Sequence, residues 1–408
     1  MKIIDGGVTA PKGFLAAGIR AGIKPGSEKK DMAMIYSEQP AVLAGTFTRN
    51  IVKAAPVKWD QKLVKEQEAI RAVVVNTGIA NACTGTEGYE NTQEEAALAA
   101  GLLNLKQEEI AIGSTGVIGQ QLPMDIIKEG IHQLVPKIAH DRQSSRDAAE
   151  AILTTDTKSK EAAVSVEIDG KEVIIGGICK GSGMIHPNMG TMLGYIATDA
   201  AIDKELLQEL QKEIVEDTFN MISVDGDTST NDTVLVMANA MSGCKKIQEK
   251  DRDYEAFREG LLYVNRELAK QIAGDGEGCT KLFEVHVEGA DTKENARILS
   301  KSVVTSSLTK AAIYGKDANW GRILCALGYS GVNFDPEKVD IAFESAVGTI
   351  DIVKDGIAAD YSEEEATKIL SEEKVTAKIH VHNGEEEATA WGCDLTHDYV
   401  SINADYRS

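Results

Sequence analysis

An α+β protein with two closely packed parts is what this 408-residue sequence predicts, on three observations. The chain exceeds what one ordinary core accommodates, so two domains, or one large layered domain plus a smaller one, are expected. In the first half, short Val/Ile/Ala runs ending in Gly, Asn and Thr alternate with stretches of helical periodicity, the pattern of buried strands delivering loops to one sheet edge. No internal repeat, low-complexity block or Pro/Ser linker divides the chain, so the parts pack together.

The elements follow in order. The runs AVLAGTFTRN (41–50), IRAVVVNTGIANACTGTEG (70–88) and EEIAIGSTGVIG (108–119) read as strands with glycine-rich exits. Between and after them, TQEEAALAAGLLNL (92–105) and MDIIKEGIHQLVPKIA (124–139) carry charge on one side and Leu/Ile/Ala at three-to-four spacing on the other. VSVEIDGKEVIIGGICKGSG (164–183) is a hairpin about Asp169-Gly170. Beyond it, 203–222 is an amphipathic helix with Asp203 as N-cap, 255–273 is another helix, and 281–290 is a strand. The remainder reads as one helix over 292–315, strands at 339–345 and 378–384, and an acidic solvated helix face from Ser362 to Glu373.

Composition narrows the function. Hydrophobic residues at 43% and charged residues at 26% suit a globular enzyme. The formal net charge of −21 opposes a phosphate backbone, so a nucleic-acid partner is not expected. The N-terminal residues lack the basic and apolar regions of a signal peptide, and no run approaches eighteen uninterrupted apolar residues; the expected location is cytoplasmic, with no membrane partner. Six cysteines without a CxxC pair suggest neither a disulfide framework nor a zinc knuckle, and are expected to be reduced and mostly buried.

One peptide bond stands out. In KGSGMIHPNMGTMLG a permissive glycine, Gly190, is joined to the χ1-stiff Thr191. The residues leave two readings open. Thr191 is a turn threonine before an apolar run, or its hydroxyl attacks the Gly190 carbonyl, shifts the acyl group from nitrogen to oxygen and leaves an ester that water opens. Self-cleavage would yield an N-terminal threonine whose α-amine, with a reference pKa of about 7.7–8.0, deprotonates its own hydroxyl. Such a nucleophile needs oxyanion donors, which Ser114-Thr115-Gly116 offers at a strand end; a plain strand-to-helix turn is the other reading there. Neither 108–119 nor Asn76–Gly88 has the form of a dinucleotide or phosphate loop. SVDGDTSTNDT (223–233) alternates Asp225, Asp227, Ser229 and Asn231, but Thr230 and Val236 occupy the calcium loop's glycine and glutamate positions, so it reads as a hydrogen-bonded structural loop. The seven histidines show no paired ligand spacing, and no metal is expected. His186, four residues before Gly190, is the one placed to assist, with simple packing as the alternative.

With those residues in place, the sequence resembles the ornithine acetyltransferase family, also called glutamate N-acetyltransferases, of arginine biosynthesis. The likeness runs end to end through GVTAPKGFLAAGIRAGIK, AGTFTRN, ILTTDTKSK, the Lys180–Leu193 stretch, SVDGDTSTNDT, GDGEGCTK, KDANWGRI and the final NADYRS. The resemblance implies cleavage between Gly190 and Thr191 into associated α (1–190) and β (191–408) chains, usually α2β2, and a layered αββα sandwich of N-terminal-nucleophile type. It implies a catalytic domain over 1–285 and a smaller α/β domain over 286–408, whose tail returns to the active site. It further implies ping-pong transfer of acetyl from N2-acetyl-L-ornithine to L-glutamate through Thr191, with Thr115 and Gly116 at the oxyanion positions. Thr154, Lys180, Thr191, Glu277, Asn403 and Ser408 match the substrate contacts. A lysine suits the α-carboxylate and a glutamate an ammonium. No cofactor is implied, with acetyl-CoA as co-substrate if the enzyme is bifunctional, and an aminopeptidase or amidase on the same scaffold is the alternative. The sequence departs from the family at Gly190, often alanine, at Ala318, more often proline, and at Ser408, commonly threonine.

Overall fold

Residues 1–186 and 192–405 are described by the structure, a computed structural model; the calls on Gly190, Thr191 and Ser408 lie outside them. The architecture is α+β, with two mixed β-sheets and layered helices. The larger sheet runs in the order Lys2–Ile4, Lys160–Ile168, Lys171–Lys180, Leu193–Thr198, Thr233–Ala238, Met32–Phe47, Ala69–Ile79, Ile110–Val117, with Phe14–Ile19 paired to Met32–Phe47. At its centre, Leu193–Thr198 lies antiparallel to Lys171–Lys180, with Lys180 opposite Leu193, and parallel to Thr233–Ala238.

Period-2 alternation explains why that strand is buried along its whole length. Leu193, Tyr195 and Ala197 point into a core with Trp59, Leu63, Ala96 and Ile131 from the helices Ala55–Glu66, Gly85–Leu103 and Met124–Leu134. Ile196 points the other way, into a core with Leu207 and Leu210 of Lys204–Glu216 and Leu261 and Leu268 of Arg252–Ala273. Arg252–Ala273 packs on the first sheet and also reaches the second. The second sheet has the order Ile357–Ala358, Gly348–Lys354, Asp340–Ser345, Lys374–His380, Leu282–Ala290, Glu386–Cys393, Ile222–Ser223. In Leu282–Ala290, Phe283, Val285 and Val287 are buried, whereas Glu284, His286 and Glu288 alternate with them on the open face. The line between residues 285 and 286 falls within this strand.

The hairpin is as read, with Ile168 opposite Lys171 around Asp169-Gly170. Asp203 caps its helix by accepting from the Glu205 N–H at 3.2 Å, and Ser362 caps the acidic helix Glu363–Ile369. Three expectations need correction. The helix read over 292–315 is two, Lys293–Thr305 and Ser307–Tyr314, because Ser306 is extended and its hydroxyl captures the Thr309 N–H at 3.2 Å, ending one helix and capping the next. The helix read to residue 139 stops at Leu134, just before Pro136, which has no N–H to continue it. All six cysteines are free as expected, but Cys83 and Cys325 are exposed.

Two acids pay no heed to the usual surface rule. Asp60 accepts the Ile112 N–H at 3.0 Å with one oxygen, and among the described residues its other oxygen and both buried Glu95 oxygens have no partner. Burial pushes the Glu95 carboxyl up to about 8. The folded state therefore holds a proton that the unfolded chain releases from about pH 4.5, so this group costs stability progressively as pH rises from there to about 8. Thermal unfolding of E95Q across pH checks this: the variant should be stabilised on the order of 3 kcal/mol at pH 8 and be close to wild type near pH 4.5.

Candidate active site

A cavity of about 150 Å³ opens where the segment joining Ile222–Ser223 of the second sheet to Thr233–Ala238 of the first meets three strand ends. Ile110–Val117 delivers Thr115 and Gly116 to it, and Lys171–Lys180 delivers Lys180. Gly116 is required by close packing: its φ is +132° and a Cβ would lie 2.2 Å from the Gly78 backbone. The neighbouring Ser114 hydroxyl donates to Asn76 Oδ1 at 2.5 Å and does not line the cavity.

Lys180 is 7% exposed. Its Nζ donates to Thr115 Oγ1 at 3.4 Å and lies 3.9 Å from Asp156 Oδ2. Burial draws its pKa down, opposed by the Asp156 carboxylate. Across the lining, Glu277 hangs from the turn after Arg252–Ala273, with its N–H on the Ser182 carbonyl at 3.0 Å and its Oε2 accepting from Asn403 Nδ2 at 2.7 Å. Asn403 belongs to the helix His397–Asp405 and lines the cavity. Gly183 leaves room for Glu277, since a Cβ there would sit 2.4 Å from its carboxylate. Thr154 completes the set, its N–H donating to Asp156 Oδ2 at 3.1 Å. Thr115, Gly116, Thr154, Lys180, Glu277 and Asn403 thus line one cavity, as does Met192, where the described chain resumes.

The 223–233 segment does more than the structural loop it was read as. Asp225 accepts from the Met184 and Ile185 N–H groups at 2.6 and 2.9 Å, fixing the lead-in to residue 186. Asn231 Nδ2 donates to the Ala80 and Ser114 carbonyls at 2.6 and 2.7 Å, tying two strand ends together. Asp232, 1% exposed, lines the cavity beside Met192. Burial pushes its pKa well up, opposed by the Met192 N–H and the Lys180 charge. The alternating acids of SVDGDTSTNDT were visible in the sequence; their burial was not.

His186 does not line the cavity. Its Nδ1 meets Ser223 Oγ at 3.1 Å, and burial lowers its pKa to about 4. Among the described residues one group is compact enough to hold a metal ion, His286, Glu288 and Glu387 on the second sheet, and none of the three lines the cavity. No helix among the described residues is long and apolar enough to cross a membrane. The cavity therefore offers a lysine, a glutamate with an amide beside it, a threonine hydroxyl beside a glycine, and a buried aspartate. Together these complement a small zwitterionic amino-acid derivative and a carbonyl under attack.

The chain is 50% identical over 398 residues to the arginine biosynthesis bifunctional protein ArgJ 1 of Clostridium acetobutylicum, covering 97% of this chain and 96% of that one. It is 48% identical over 399 residues to the arginine biosynthesis bifunctional protein ArgJ of Thermotoga neapolitana, covering 98% and 99%. The crystal structure of the arginine biosynthesis bifunctional protein argJ from Bacillus halodurans matches with a TM-score of 0.51 and 47% identity, over 53% of this chain and 100% of the solved one. The family model described as ArgJ family matches residues 15–408, and the chain belongs to that family.

Proposed function

We propose that this protein moves an acetyl group from N2-acetyl-L-ornithine to L-glutamate by a ping-pong route through Thr191, after cutting its own chain between Gly190 and Thr191. The observation that carries this is the convergence of Lys180, Glu277, Thr115 and Gly116 on one cavity that also holds Met192, the residue after the nucleophile. In the cut, the Thr191 hydroxyl oxygen bonds to the Gly190 carbonyl carbon, the C–N bond breaks and the nitrogen gains a proton. Water then opens the ester, leaving a carboxylate on Gly190 and a free hydroxyl on Thr191. In transfer, that hydroxyl attacks the acetyl carbonyl, ornithine leaves with a proton on its amine, and the glutamate amine takes the acetyl in the second half. Thr115 and Gly116 stabilise the oxyanion. Lys180 holds the α-carboxylate, Glu277 with Asn403 faces the distal ammonium, and Thr154 and Ser408 complete the contacts.

The two fragments are held by sheet pairing, since Lys171–Lys180 precedes the cut and Leu193–Thr198 follows it. The solved argJ chain from B. halodurans, wholly matched over 53% of this chain, agrees in length with a fragment starting at residue 191. The same reading has the enzyme work in the cytoplasm as α2β2 without a bound cofactor, and use acetyl-CoA as a second donor.

Intact mass of the purified protein should show two fragments, the second beginning Thr-Met-Leu-Gly. T191A should stay as one chain and lose transfer by at least about 1,000-fold; a cleaved or active T191A identifies a different nucleophile. Labelled acetylornithine should pass its acetyl to glutamate, and predominant release as acetate would make the enzyme an amidase. Acetyl-CoA with glutamate should yield N-acetylglutamate, and no product above background removes the second donor.

A further inference from the structure

Behind the cavity wall lies a charged cluster, Asp156, Lys160 and Asp275, whose own residues are not part of the lining. The Asp156 side chain is wholly buried, and its two oxygens gather three segments. Oδ1 accepts from the Gly181 N–H and from Lys160 Nζ, both at 2.7 Å. Oδ2 accepts from the Thr154 N–H at 3.1 Å and lies 3.9 Å from Lys180 Nζ. Lys160, itself buried, also donates to Asp275 Oδ2 at 2.6 Å. Asp275 in turn accepts from the Thr157 N–H at 3.1 Å and from its hydroxyl, and its carbonyl takes the Ser182 hydroxyl at 2.7 Å. Ser182 then accepts the Glu277 N–H. The segments that present Lys180 and Glu277 to the cavity are thereby both tied to the Asp156–Lys160–Asp275 cluster.

We propose that Asp156 is the positioning residue of this site: it holds the Lys180 ammonium, charged and aimed, for the carboxylate of the amino-acid substrate, and through Lys160 and Asp275 keeps that ammonium in register with Glu277. The inference rests on the transfer reading above. A lone buried lysine would shed its proton, and a lone buried aspartate would take one up. Here burial pushes the Asp156 pKa up, but Lys180 and Lys160 outweigh it and hold the carboxyl well below its usual range. The charged groups facing Lys180 are Asp156, Lys160, Asp232 and Glu277, with Lys24 beyond, and Asp156 is the strongest support for its charge. A merely structural aspartate would serve any ligand alike; one that acts through Lys180 serves ligands with a carboxylate.

The test compares ornithine with 1,4-diaminobutane, which differs from it by loss of the carboxylate, as ligands in calorimetry on wild type, D156N and D156E. The wild-type preference for ornithine should fall by about 30-fold in D156N, the worth of one charge-assisted contact, with diaminobutane binding changed less than about 3-fold. The alkaline limb of kcat/KM should move to lower pH by about one unit, as Lys180 loses its supporting charge. D156E keeps the charge on a longer arm, so its limb should stay at the wild-type pH while the preference falls by about 5-fold; should D156N not fold, D156E decides alone, and an unchanged preference overturns the proposal. Equal loss for both ligands, or an unmoved limb in a folded D156N, also overturns it. Wild-type protein that binds neither ligand overturns the transfer reading and this inference together, whereas wild type that prefers ornithine and a D156N that keeps the preference sink this inference alone.

Discussion

The antiparallel pairing of Lys180 with Leu193 is the constraint on which the rest of the molecule depends. It sets the last residue of one strand beside the first of the next, so the segment between them must leave and re-enter at one place on the sheet edge. That place is the cavity, because the parallel partner Thr233–Ala238 brings Asp232 to the same level and Ile110–Val117 ends there with Thr115 and Gly116. Leu193, Tyr195, Ile196 and Ala197 are all fully or almost fully buried. Each large apolar side chain so placed contributes roughly 1.5–3 kcal/mol, an upper estimate given a compact unfolded chain. Opening one peptide bond in the connection removes none of that burial. Scission and a stable sheet are compatible for this reason.

Electrostatics then explains why so much buried charge is tolerable at this edge. Each ionised group near the cavity has a specific answer: Lys180 and Lys160 share Asp156, Lys160 also meets Asp275, and Glu277 accepts from Asn403. At Asp232 burial dominates, and its pKa is pushed well up. Removing one member of a buried, paired set leaves an uncompensated charge, which costs far more than a surface pair is worth. The cluster therefore favours one arrangement of three loops over many near alternatives, which a site recognising a small zwitterion requires.

What was legible in the sequence divides along physical lines. Local signals worked: Asp203 before its helix and the Asp169-Gly170 turn each follow from residues within a few positions. Thr115 and Gly116 were readable as oxyanion donors at a strand end, but Lys180 and Glu277 were reached through the resemblance, since a lysine at a strand end and a glutamate in a turn have no local mark of function. Asp156, Lys160 and Asp275 escaped notice although 152–160 and 274–281 were both picked out as blocks. Asp275 and Lys160 are 115 positions apart, and no periodicity reports a contact across that separation. Ser306 was missed for the opposite reason, because a serine inside a helical period gives no sign of whether its hydroxyl faces solvent or caps the next turn.

Glycine shows how a correct motif can be read for only part of its reason. The glycine-rich lead-in drew attention to conformational freedom at the cleavage bond, yet the glycines whose need is plain in the fold are Gly116 and Gly183, which are there to let something come close. At Gly116 it is the Gly78 backbone, and at Gly183 it is the Glu277 carboxylate. A side chain at Gly116 would push apart the two parallel strands that Asn231 ties together, and one at Gly183 would displace the anion of the cavity. Both losses fall on geometry that must be right before any bond is cut, so these glycines belong to the construction of the site and would be required even in a protein that never cleaved itself.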